Sequence, residues 1–132
     1  ASQCRRLAAF RATRAAIHAR YRRDLANLPW LRLPPPAPGQ EPCWHLCAVQ
    51  VDWRALGIDR RAGCAGAQAA GIAPQVHYIP LHHQPALAGV VRASSLSGAD
   101  QAYGGSVSLP CHAGLTDDDL TRVITWLRSL AR

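Results

Sequence analysis

The sequence predicts an α+β domain: one small, mostly antiparallel sheet backed by helices. Three observations lead there. Leu7, Phe10, Ile17, Tyr21, Leu25 and Leu28 recur at spacings of three, four and seven, the signature of a helix with one apolar stripe. Residues 43–52 and 75–79 carry the branched and aromatic content of strands. Thr116 followed by Asp117, Asp118 and Asp119 opens a last helix, because a threonine caps the first turn and carboxylates there meet the positive end of the helix dipole.

In chain order, residues 2–28 read as one long helix that Pro29 ends, and Arg5, Arg11, Arg22 and Arg23 lie off its apolar stripe. Nothing resembling a cap precedes it, so the expectation is that the chain has been cut here from something longer. Residues 30–33 suit a short extended segment. The run from Pro34 to Pro42 is a stiff surface loop, since proline fixes φ and removes donors. After the strand at 43–52, Asp59 caps a helix over 60–70 that Gly71 terminates. Gly63 and Gly66 weaken that helix by roughly 1 kcal/mol each relative to alanine. A strand over 75–79 is bracketed by Pro74 and Pro80. Residues 81–105 read as mostly irregular, 106–109 as a short strand, and the last helix buries Leu120, Val123, Ile124, Leu127 and Leu130 along one face.

At 132 residues the chain has the length of a single domain. Its net charge of +7 comes from fifteen arginines, seven of them between Arg5 and Arg23, and it contains no lysine. Such a surface attracts phosphorylated ligands or nucleic acid, but charge alone reads first as a solvated helix face. No apolar run approaches the ~20 residues that span a bilayer. Five cysteines, an odd number without a regular framework, suggest free and mostly packed thiols, with the cytoplasm as the expected compartment. Phosphate-binding loops, dinucleotide fingerprints and nucleophile elbows are missing from the sequence, which removes the activities that depend on them.

Several blocks nevertheless carry a family likeness. Ser2-Gln3 with Leu7, then Arg20-Tyr21 with Leu25 and Pro29, are followed by Cys43-Trp44-His45-Leu46. Ala70-Gly71-Ile72 and Gln75-Val76-His77-Tyr78-Ile79-Pro80 come next, and Leu109-Pro110 with Gly114-Leu115-Thr116-Asp117-Asp118-Asp119 close the series. In this order and at these distances they resemble the C-terminal part of the DegT/DnrJ/EryC1/StrS sugar aminotransferases. The run from Gln75 to Pro85 is most similar to the branch making 4-amino-4,6-dideoxy sugars, in particular the transaminase of the pseudaminic acid pathway. The chain departs from the pattern at Gly63, Gly66 and Pro74, and has Ala86-Leu87 where tyrosines are usual.

The resemblance implies that residues 1–132 are the small C-terminal domain of an enzyme with the aspartate aminotransferase (fold-type I) architecture. It implies pyridoxal phosphate (PLP) as cofactor, glutamate as amino donor and a UDP-linked 4-keto-6-deoxy sugar as substrate. The partner would be a large PLP-binding domain or a second subunit. Because that chemistry needs a lysine for the Schiff base, no cofactor and no catalysis are expected of this chain alone. The expected substrate contacts are His77, Tyr78 and His82. The alternative is a free-standing, non-catalytic binding module for a sugar nucleotide or, through the arginine face, for nucleic acid. Cys43, His45 and Cys47, the histidines 77, 82 and 83, and Cys111-His112 are the groupings that zinc could use, although none forms a paired CxxC pattern.

Overall fold

The chain opens with a short helix, α1 (Ser2–Arg5), and a longer one, α2 (Leu7–Asp24), in a computed structural model that describes residues 2–90 and 95–131. The single helix expected over 2–28 is therefore divided and shorter. The Arg6 amide bonds back only three residues, to the Gln3 carbonyl, which interrupts the α-helical ladder. At the other end, Leu28 bonds to Leu25 and Leu31 to Leu28, tight turns that bring the chain round Pro29 to the sheet. The apolar stripe is also only partly core. Ile17, Tyr21 and Leu25 are buried, whereas Leu7 is 52% exposed.

The sheet has three strands in the order β1 (Leu31–Arg32), β2 (Cys47–Val51), β3 (Ser106–Leu109), antiparallel throughout. Cys47, Val49 and Val51 of β2 point into the core while Ala48 and Gln50 do not, the alternation a half-buried strand requires. Opposite them stand Leu109, Val107 and Leu31. The strand expected at 75–79 is not one. Gln75 alone pairs with Ser108, in both directions at 3.1 and 2.7 Å. Pro74 cannot donate on one side, and at His77 the side chain, not the backbone, meets Ser108.

Helix α3 (Arg60–Ala69) is capped as expected: Asp59 Oδ1 accepts the Ala62 amide at 2.7 Å. Gly71, at φ +73°, closes it with bonds from the Gly71 amide to Gln68 and from the Ile72 amide to Ala67. The stretch 81–105 holds more structure than its composition suggests. Two 3₁₀ turns (Leu81–His83 and Pro85–Leu87) precede a helix, α4 (Ser97–Gly105); positions 91–94 lie outside the described residues. Helix α4 packs on β2, and Gly105 comes so close that a Cβ there would fall 2.6 Å from Gln50 Oε1 and 3.1 Å from the Val51 carbonyl.

Helix α5 (Asp117–Ser129) starts with a full capping box between Thr116 and Asp119. It buries Leu120, Val123, Ile124, Trp126 and Leu127 and packs against α2. Arg20 of α2 fastens the pair, with Nη1 donating to Asp117 Oδ1 at 2.6 Å and Nη2 to Thr121 Oγ1 at 2.8 Å. The result is the small antiparallel sheet backed by helices that the sequence predicts. Among the cysteines, Cys47 is buried, Cys64 and Cys111 are half-buried, and Cys4 and Cys43 are exposed, all of them free. Burial pushes the Cys47 thiol up to about 12, so it stays protonated and packs as a small apolar residue.

Candidate functional site

A cleft of about 550 Å³ opens beside β3. Arg14 comes to it from α2, Arg122 from α5, and His45, His77 and His112 from the segments between elements. Among the described residues Asp119 is the one carboxylate lining it. That group is occupied: it accepts from the Thr116 amide and hydroxyl at 3.0 and 2.7 Å and from Arg122 at 3.4 Å. The two Thr116 bonds, helped by Arg122 and His112, hold its carboxyl below the usual range. Arg14 Nε is buried and has no hydrogen-bond partner among the described residues. A cleft with an unspent guanidinium and three imidazoles is chemically suited to an anion such as a phosphate.

His77 faces this cleft with Nδ1 2.9 Å from Ser108 Oγ. Tyr78 projects into solvent at 76% exposure, its ring set edge-on to His77 with centroids 4.7 Å apart. Of the expected contact residues, His77 lines the cleft and Tyr78, its neighbour in sequence, does not. His82 is elsewhere: it does not line the cleft, and its Nε2 lies 2.7 Å from Asp100 Oδ1 of α4. The zinc groupings read from the sequence do not form. Among the described residues, the only set of three donors close enough for one ion is His82, His83 and Asp100.

Sequence reasoning passed over Arg14 and Arg122. His112 entered only as a zinc donor, as did His45. The Trp44 next to it stacks on buried His18 with ring centroids 3.6 Å apart, which holds this segment against α2.

The family model described as the DegT/DnrJ/EryC1/StrS aminotransferase family matches residues 1–128. The chain belongs to this family. Among solved members of similar structure, DesV from S. venezuelae, determined with a ketimine intermediate, is 32% identical with a TM-score of 0.86. The comparison covers 98% of this chain and 34% of DesV, so the chain spans about a third of that protein's length. Helicobacter pylori PseC, an aminotransferase involved in the biosynthesis of pseudoaminic acid, has a TM-score of 0.87 at 20% identity over 98% of this chain and 34% of its own. The PLP form of Spr1654 from Streptococcus pneumoniae has a TM-score of 0.88 at 23% identity, over 98% and 33%. These two likenesses speak for the fold.

Aminotransferases of the DegT/DnrJ/EryC1/StrS family have been solved with PLP bound. The residues present here do not fit that cofactor as a covalent partner, since none of the 132 is a lysine. No helix among the described residues is long and apolar enough to cross a membrane.

Proposed function

We propose that residues 1–132 form the small C-terminal domain of a PLP-dependent sugar aminotransferase, one that closes over a large cofactor-binding domain and contacts the sugar nucleotide. The observation that carries this reading is the match of residues 1–128 to the family. Its counterpart in DesV makes up about a third of that chain. His77 and Tyr78 contact the substrate, and His82 stands four residues beyond Tyr78 on the same segment. Tyr78 and Leu81, 76% and 72% exposed, belong to the surface that a large domain would cover. The amino donor is glutamate and the acceptor a UDP-linked 4-keto-6-deoxy hexosamine of the pseudaminic acid branch, supported by the run from Gln75 to Pro85. The cytoplasm is the proposed compartment, supported by the five free cysteines.

The test supplies a lysine-bearing large domain of this family in trans and follows glutamate-dependent amination of the keto sugar. The chain alone gives no turnover, and the pair does. A stable complex that binds PLP but never aminates any nucleotide sugar would defeat the proposal.

A second reading has one specific observation behind it. The arginine and histidine cleft is already formed without a large domain, so the chain could bind a sugar nucleotide as a free-standing module. Quenching of tryptophan fluorescence by a UDP-sugar, with no added domain, separates the two. Binding to nucleic acid would show instead as affinity for duplex DNA that falls steeply with salt.

A further inference from the structure

We propose that His82, His83 and Asp100 form a binding site for one divalent transition-metal ion of the zinc, cobalt(II) and nickel(II) class. The two histidines are consecutive residues of a 3₁₀ turn, yet both present Nε2 to the same oxygen, Asp100 Oδ1, at 2.7 and 2.9 Å. Their rings lie side by side with centroids 4.3 Å apart and planes 64° apart. All three donor atoms fall within 4.8 Å of one another.

Hydrogen bonding alone would satisfy Asp100 with one imidazole. Two aimed at a single oxygen bring together the nitrogen, nitrogen and oxygen that such ions select. Donors around tetrahedral zinc stand about 3.4 Å apart, so both rings withdraw from Asp100 by well under about 1 Å, and the two Nε2 atoms, within 4.8 Å of each other, settle to the same spacing. Three protein ligands leave a coordination position open to water.

Both sides of the site are built in. The turn is pinned by the His83 amide on the Pro80 carbonyl and the Gln84 amide on Leu81, at 2.9 and 3.1 Å. Asp100 rides on α4, which packs on β2. Tyr103, one turn further along α4, meets the His83 ring at 6.1 Å and takes the Arg60 guanidinium over its face at 4.3 Å. An ion here would tie the segment bearing His77 and Tyr78 to α4. Its open position would also let His82 serve a nucleotide phosphate through the ion. That extension rests on the proposed function, whereas ion binding itself does not.

The experiment is a cobalt(II) titration of the untagged, metal-free chain, followed by its visible spectrum, with no nucleotide present. The expected result is one equivalent bound, with the bands of nitrogen and oxygen ligation and no strong thiolate charge-transfer band in the near ultraviolet. Asp100→Ala and His83→Ala, at side chains nearly half exposed, each weaken binding by more than about tenfold. Cys43→Ser and His112→Ala leave it unchanged. Circular dichroism of each variant confirms that the fold survives. Failure of the chain to bind cobalt, a thiolate band, or binding that survives Asp100→Ala would each overturn the proposal. Since no sugar nucleotide takes part, none of these results bears on the aminotransferase reading.

Discussion

The indole of Trp53 lies in the space that a side chain at Gly63 would need. A Cβ at Gly63 would fall 2.4 Å from Trp53 Cζ3 and 2.8 Å from Cη2. The glycine that weakens α3 as a helix is what lets the ring bury against it. Gly66, one turn on, has room: its nearest neighbour would be Trp126 Nε1 at 3.8 Å.

Gly63→Ala and Gly66→Ala therefore have opposite signs. Alanine is the better helix former by roughly 1 kcal/mol at both positions. At Gly63 the collision with a rigid, packed ring outweighs this, and the net loss is about 1–2 kcal/mol. At Gly66 the gain stands, at about 0.5–1 kcal/mol. Urea unfolding of the two variants beside the parent chain checks both, and equal signs would refute the account.

Tyr21→Phe removes one hydrogen bond and little else. The Tyr21 side chain is fully buried, and its hydroxyl donates to the Pro110 carbonyl at 3.0 Å. Burial, and the nearby Cys47 and Cys111, push the phenol well above its ordinary value, so it remains a donor at any working pH. The variant should lose about 1 kcal/mol, read as a lower urea midpoint at unchanged slope.

Acid should destabilise the chain already between neutral pH and the carboxylate range. Burial lowers His18 below its ordinary 6.5 and Arg22 adds to the effect; the Leu46 backbone offsets only part, making no proper bond to either ring nitrogen. With a lowered folded value, the unfolded chain takes up the proton first. Stability is then complete above 6.5 and falls as pH drops from there through the folded value. Asp24 and Asp119, held below 3.8 chiefly by Arg23 and by Thr116, contribute only at still lower pH. Melting temperatures at pH 7 and pH 5 should differ in the parent chain, and His18→Phe should narrow the difference.

Arg14→Gln tests the cleft. If the unpartnered guanidinium receives a phosphate, the affinity for a UDP-sugar should drop by roughly tenfold or more, as expected for a lost charged hydrogen bond. Fluorescence titration reads this directly, and an unchanged affinity would remove Arg14 from the site.

What could be read from the sequence is what neighbouring residues decide between themselves. Thr116 with Asp119, Asp59 with Ala62, and Gly71 at the end of α3 are contacts within a few positions, and all three stand as expected. Helix α4 was hidden because Gly98, Gly104 and Gly105 argue against a helix locally. Gly105 is there for the distant Gln50 and Val51. The 75–79 segment failed for the converse reason: good strand residues, but a single partner at Ser108. In the site, His77 and Tyr78 are neighbours in sequence and could be named together. Asp100 lies eighteen positions from His82, and Arg14 and Arg122 come from opposite ends of the chain. Only the packing of α2 on α5 brings those two arginines to one cleft.

Arg20 and Tyr21, adjacent on α2, grip the two ends of the β3–α5 connection, at Asp117 and Pro110. The loop between, with Cys111 and His112, is slung from one helix like a strap from two hooks. Arg14 rides on that same helix. The cleft residues Arg14, Cys111 and His112 are thus all referred to one helix, although almost a hundred positions in the chain separate the first from the other two.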